Sequence, residues 1–416
     1  MQRASSIAIV IVLLAASAAP AEWPQFLGPT RSGVAKSGKP LARSWPEGGP
    51  KVLWTVKLGP GFGGPAVRDG KIYILDHIGE EQDVLRCLDM AKGTELWRFA
   101  YDAPGKLGYN GSRSTPTVDR KYIFTIGPFG HVYCFDRATH KPLWSKNLQT
   151  DFAGKMAPWG YAHSALLYKD AVILFPGGKT VGVVALDKAT GKELWRSRPI
   201  GSSAYPSPTL LTADGVDQIV VYTFRGARVA GIDAANGKVL WSYRKWKCNC
   251  PVPGPTIIGD GRIFLTGGYK AGSVMLKIQR KDDGKFAATE LFKTDDLGSL
   301  LHNAVLYKDH LYVNCNTKRT NDGLVCIDLA GNVKWKTERS PNMERGNLII
   351  ADGLIYIMDG RTGVLRLVQA DPAGYKELAQ AKILKHRPIW APMALTDGKL
   401  LCRDQQQLKC LDVSAP

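Results

Sequence analysis

Ala185-Leu186-Asp187-Lys188-Ala189-Thr190-Gly191-Lys192-Glu193-Leu194-Trp195 decides the fold, because the stretch returns along the chain with a nearly fixed period. Related copies run from Cys87 to Trp97, Cys134 to Trp144, Gly231 to Trp241 and Cys326 to Trp335. Two copies are worn: Met275 to Phe292 has lost both the Asp and the Trp, and Leu367 to Ala379 keeps only the Lys-Glu-Leu of its second half. The last copy is split across the termini, with Cys410-Leu411-Asp412 as a first half and Val52-Leu53-Trp54 as a second.

Each copy alternates apolar and polar residues, breaks at a Gly-containing turn and resumes with a large aromatic, the pattern of two antiparallel strands joined by a tight hairpin. The Trp-equivalent positions 54, 97, 144, 195, 241, 292, 335 and 379 lie 43 to 51 residues apart, the period of one four-stranded propeller blade. The expected fold is therefore all-β: an eight-bladed β-propeller of four-stranded antiparallel blades, its ring closed by pairing the N-terminal strand with the C-terminal strands. Closure removes the free edges of an open sheet.

The rest of the composition agrees. With 44 Gly, 25 Pro and no long helical periodicity, the chain reads as strands and turns. Residues 1–21 read as a signal peptide: Arg3 precedes an apolar run from Ile7 to Ala16, and Ala19-Pro20-Ala21 has the small-x-small spacing of a cleavage site. The run is too short for a membrane span, and no Cys follows it to carry a lipid. The expected organisation is a signal peptide (1–21), an ordered N-terminal arm (22–50) packed on the ring through Trp23-Pro24-Gln25-Phe26, and the propeller (51–416). The expected location is periplasmic or secreted, in a bacterium, with no integral membrane segment after cleavage, and the expected state is a monomer.

The formal charge of +18 at pH 7 can favour an anionic partner. The basic residues are spread through every repeat, so no specific nucleic-acid interaction is expected; the partner expected is a protein or a polysaccharide. Of the eight cysteines, Cys87, Cys134, Cys326 and Cys410 hold the repeat position of Ala185 and Gly231, which calls for a small buried side chain. Cys315 and Cys402 fall in second strands. Cys248 and Cys250 lie in a loop and could form a redox pair, bind metal or stay unlinked.

The repeat resembles that of the pyrroloquinoline-quinone-type (quinoprotein alcohol-dehydrogenase-like) propellers, through the Ala-x-Asp-x-x-Thr-Gly-Lys-x-x-Trp pattern known there as the tryptophan-docking motif. The resemblance covers most of residues 47–416 and implies the fold far more strongly than a chemistry. Within the family it implies either a quinone-dependent dehydrogenase or a cofactor-free assembly protein.

In such a ring the connections from each fourth strand to the next blade end at the channel mouth, where loops on a rigid scaffold build a site. They carry the candidate ligand-binding residues Arg113, Trp159, Tyr161, His163, Tyr205, His302, Asn303, Arg345 and Trp390, with Tyr109, His386 and Arg387 beside them. Aromatic faces and arginines suit stacking and bidentate capture of an anion. A dehydrogenase would need pyrroloquinoline quinone with calcium and a general base, and the mouth loops offer Glu344 as their one acid. No adjacent cysteine pair and no Cys-x-x-Cys-His haem motif is present. The reading is thus a binding or scaffold propeller with no cofactor expected. The alternatives are a quinoprotein dehydrogenase, or a lyase or hydrolase of acidic sugars using His163 or His302 as acid/base with Arg113 or Arg345 on the substrate carboxylate.

Overall fold

A computed structural model describes residues 22–224, 228–316 and 321–416. The stretch read as a signal peptide lies outside the described residues. Among the described residues all regular structure is β-strand, in eight blades of four antiparallel strands, one of which takes a fifth, parallel strand from the arm. Blades 1 to 7 occupy residues 66–102, 117–147, 166–196, 209–243, 256–294, 305–336 and 348–382. Blade 8 joins Ala394–Thr396, Lys399–Arg403 and Gln407–Asp412 to Val52–Lys57, with Trp54 opposite Cys410 and Lys57 opposite Gln407. The N-terminal strand thus closes the ring.

The repeat position of the cysteines acquires a physical reason in the register. Cys87 pairs with Trp97, Cys134 with Trp144, Ala185 with Trp195, Gly231 with Trp241 and Cys326 with Trp335. The worn copies keep the same register, Met275 opposite Phe292 and Leu367 opposite Ala379. One residue beyond each of these pairs the ladder bulges, which twists the outer strand and turns its aromatic towards the next blade. Trp54 lies against Gly93 of blade 1, where a Cβ would come within 2.6 Å of the indole, and Trp54 Nε1 donates to the Met90 carbonyl at 3.1 Å. Trp144 repeats this against Gly191 and the Lys188 carbonyl at 2.9 Å. Gly93 and Gly191 also sit at φ +73° and +68°, so the turn and the contact require the same residue.

The exceptions follow from lost partners. In blade 2 His140 takes the glycine position, and its ring stacks on Trp97 with centroids 4.7 Å apart. Trp241 faces blade 5, whose turn is worn, and its Nε1 instead donates to Gln218 Oε1 of its own blade at 2.6 Å. Each turn Asp acts locally: Asp187 Oδ1 accepts from the Ala189 and Thr190 amides and the Thr190 hydroxyl. These bonds hold its carboxyl below the usual range.

The arm packs on the ring from within, along the channel. Trp23 forms an antiparallel bridge with Val67 in the innermost strand of blade 1, and the Val118 amide of blade 2 donates to the Pro24 carbonyl at 2.8 Å. Val34–Ala35 then adds as a parallel fifth strand to Leu348–Ala351, the innermost strand of blade 7. Innermost strands have one unpaired edge facing the channel, and the arm satisfies it. Leu41 next bridges to Ser414, leading the chain to the outside of blade 8.

Candidate functional site

At the mouth the connecting loops and the arm enclose a pocket of about 170 Å³. Of the mouth residues expected from sequence, Tyr109, Arg113, Trp159, Tyr205, His302, Arg345 and Trp390 line it. Their rings touch in series: Trp390 meets Phe62 at 5.7 Å and Tyr109 at 5.4 Å, Tyr109 meets Trp159 edge-on at 6.1 Å, and Trp159 stacks on Tyr205 at 5.6 Å. Such contacts fix ring positions and leave Tyr109 and Trp159, each more than a third exposed, as a platform towards solvent.

The two arginines are held by their own surroundings. Arg113 lies 5.8 Å from the Phe62 ring centre and donates to the Tyr109 and Gly111 carbonyls. Burial pushes its guanidinium down to about 10, so it stays cationic at neutral pH. Arg345 lies 4.5 Å above the Trp390 ring and pairs with Glu344, whose Oε2 also accepts from Trp390 Nε1 at 3.3 Å and from the Arg345 amide at 2.6 Å. Glu344 is therefore engaged, and no Asp or Glu is among the residues lining the pocket.

His302 is fixed in one tautomer. Its Nε2 donates to the Arg345 carbonyl at 3.1 Å and its Nδ1 accepts from Asn347 Nδ2 at 3.3 Å. Burial pushes the imidazole down to about 4, which keeps it neutral at physiological pH.

The remaining expected residues stand elsewhere. Tyr161 is buried among blades 2 and 3 with its hydroxyl donating to the Pro176 carbonyl at 3.1 Å. His163 is fully buried, its Nε2 accepting from the Phe175 amide at 3.4 Å, and burial with the nearby Arg31 charge pushes it down to about 3. Asn303 accepts from the Gly254 amide at 2.9 Å and faces a second cavity below the mouth. His386 and Arg387 do not line the pocket. Cys248 and Cys250 are free thiols in different apolar clusters, the first with Trp246 and the second with Tyr205. Burial raises them to about 12 and about 11, so both are protonated at neutral pH.

Beyond the expected mouth set, the lining includes Phe62, Tyr269 and Phe26, together with Cys250, expected only as one of a redox pair. Phe62 and Cys250 sit in connections between blades. Tyr269 belongs to the turn between the second and third strands of blade 5, and such turns end on the mouth face as the connections do. Phe26 comes from the arm, where only its course through the channel brings it to the pocket.

Pyrroloquinoline quinone with calcium can be set against these residues. The rings and arginines suit a planar acid, but calcium takes about six to eight oxygen ligands, usually with carboxylates among them, and here no carboxylate faces the pocket. The pocket is also smaller than the roughly 300–1,000 Å³ common for small-molecule sites. The donor set does not fit the calcium-bound quinone. Among the described residues no cluster of three His, Cys, Asp or Glu is placed to hold a metal ion, and no helix is long and apolar enough to cross a membrane.

Comparison with known proteins follows the same division. The family described as outer membrane protein assembly factor BamB matches residues 80–337. The dehydrogenase subunits of quinone alcohol dehydrogenase from Komagataeibacter europaeus and Acetobacter aceti are 28% identical over 159 residues and 25% identical over 187. These matches take in 35% and 42% of this chain but span only 21% and 24% of those proteins. BamB from Moraxella catarrhalis superposes with a TM-score of 0.60 at 14% identity, covering 87% of this chain and 99% of that one. Quinohemoprotein alcohol dehydrogenase from Comamonas testosteroni gives 0.63 at 13% identity, covering 95% and 81%. At these identities the structural likeness concerns the fold alone.

Proposed function

Since the chain belongs to the family described as outer membrane protein assembly factor BamB, we propose that it is an exported binding propeller that engages an acidic protein segment at its channel mouth. The observation that carries this reading is the composition of the pocket: a series of aromatic rings and two fixed arginines with no free carboxylate. Rings pre-positioned by one another lose little freedom on binding, and aromatic and Arg side chains concentrate the energy of protein contacts. The buried, neutral His302 and the enclosed His163 supply no ready acid or base, which weighs against the acidic-sugar chemistry. The leader pattern of residues 1–21 supports export.

A second reading keeps a quinone-dependent oxidoreductase, because the curated relatives of the repeat are quinone alcohol dehydrogenases. The donor set at the mouth weighs against it.

Titration of the protein with an aspartate-rich peptide bearing one aromatic residue, followed by tryptophan fluorescence, tests the proposal. Saturable binding is expected, weakening with salt. Arg113→Gln with Arg345→Gln should reduce affinity by about 10- to 100-fold at unchanged fold. Affinity should hold from about pH 8 to 5, where the guanidinium is charged, and fall below about pH 4 as the peptide carboxylates protonate. Peptide binding that ignores both substitutions, or binding of an acidic oligosaccharide in its place, would overturn it.

A further inference from the structure

Below the mouth a second cavity of about 570 Å³ separates the arm from blades 4, 5 and 6. Its size falls within the roughly 300–1,000 Å³ common for small-molecule sites. Leu27, Val34, Leu210, Ile257, Ala304 and Leu306 form an apolar wall, and the cavity meets solvent beside the exposed Pro29, Thr30 and Lys36. Into this apolar space the arm places one guanidinium, that of Arg31.

We propose that this channel cavity binds a small organic anion, a carboxylate on an apolar body, with Arg31 as its counter-charge. Arg31 Nη1 donates to the Ala165 carbonyl at 2.9 Å and Nη2 to the Ser164 carbonyl at 3.4 Å. Carbonyls orient a guanidinium without neutralising it, and of its five N–H donors three remain. No carboxylate among the described residues pairs with it: Glu22, the one acid lining the cavity, is bound to Arg68 at 3.3 Å. The neighbouring imidazole, His163, is neutral. Burial alone pushes Arg31 down to about 10, with no compensating negative charge. A half-buried charge without a charged partner carries a desolvation cost, and the guanidinium fork matches a carboxylate in two parallel hydrogen bonds.

Leu27 and Arg31 have φ of 60° and 56°, the left-handed region that turns the arm back on itself here. The turn is locked by the Arg31 amide on the Gly28 carbonyl at 3.1 Å and the Gly33 amide on the Leu27 carbonyl at 3.0 Å. One guanidinium against an apolar wall, with Lys36 only at the solvent edge, favours a monoanion with a hydrocarbon body over free phosphate, which has no apolar surface to bury there. The site stands apart from the mouth pocket, and its test is independent of the mouth reading.

Isothermal titration of the full chain with octanoate, octan-1-ol and inorganic phosphate decides it. Octanoate should bind saturably, with the alcohol and phosphate at least roughly tenfold weaker. Arg31→Gln should abolish octanoate binding. Leu306→Phe, which narrows the cavity without touching Arg31, should weaken it also, and this variant decides the matter if the first does not fold. Arg113→Gln, at the mouth, should leave octanoate binding unchanged. Absence of saturable binding, binding that survives Leu306→Phe at full affinity, or binding lost in Arg113→Gln would overturn the proposal.

Discussion

Replacing Trp23 by alanine is expected to cost about 3–5 kcal/mol of folding stability, the range for truncating a large buried aromatic. Trp23 is 1% exposed and packs in the core shared by blades 1, 7 and 8 with Val67, Ile349 and Leu400. Its backbone exchanges two hydrogen bonds with Val67, at 3.0 and 2.8 Å, and its ring covers Gly28, where a Cβ would fall within 2.9 Å. A cavity there opens at the point where the arm enters the channel, so the loss falls on the junction of three blades. Urea denaturation of Trp23→Ala beside Trp23→Phe measures it, with the phenylalanine variant intermediate. A midpoint unchanged in Trp23→Ala would mean that the arm contributes nothing to the core. Because Phe26 lines the mouth three residues on, the alanine variant should also weaken binding at the mouth without altering any loop there.

Arg403→Leu is expected to cost about 2–4 kcal/mol, since removing one partner of a buried polar set leaves the others unsatisfied. Arg403 is 1% exposed; its Nη2 donates to the Gly59 carbonyl at 2.7 Å and its Nε to the Asp404 carbonyl at 3.3 Å. Gly59 follows the strand Val52–Lys57, so the contact ties the C-terminal strands to the segment that closes the ring. The Gly59 amide in turn donates to Asp76 at 2.9 Å, and Asp76 accepts from Arg86 at 3.3 Å. Removing the guanidinium strands a carbonyl and withdraws the positive charge beside Asp76 and Asp404. Denaturation monitored by fluorescence and by limited proteolysis at the N-terminal strand should show both the stability loss and earlier opening of blade 8. Equal stability with unchanged cleavage would contradict the closing role.

The ring was legible in the sequence because each blade repeats one physical solution. A small residue, a turn Asp and a large aromatic recur at nearly fixed spacing, and the cross-strand pairing survives in Met275–Phe292 and Leu367–Ala379 after the residue types and the short hairpin have gone. The mouth was partly legible for the complementary reason: segments that break the repeat are the connections. What the pattern could not say is which residue of a non-repeating loop faces the pocket. Trp159 faces it, while Tyr161 and His163, two and four residues on, turn into the blades. The course of the arm was not legible, because it is set by the unpaired inner edges of blades 1, 2 and 7, which exist only once the ring has formed. Phe26 and Arg31 were missed for that reason.

The most direct test of a binding mouth without a resident quinone is a thermal-shift titration of the protein with pyrroloquinoline quinone, with calcium and after chelation. The account predicts no calcium-dependent rise in melting temperature at saturating quinone. A rise that requires calcium and disappears in Arg113→Gln or Trp390→Ala would contradict it and assign the mouth to quinone chemistry.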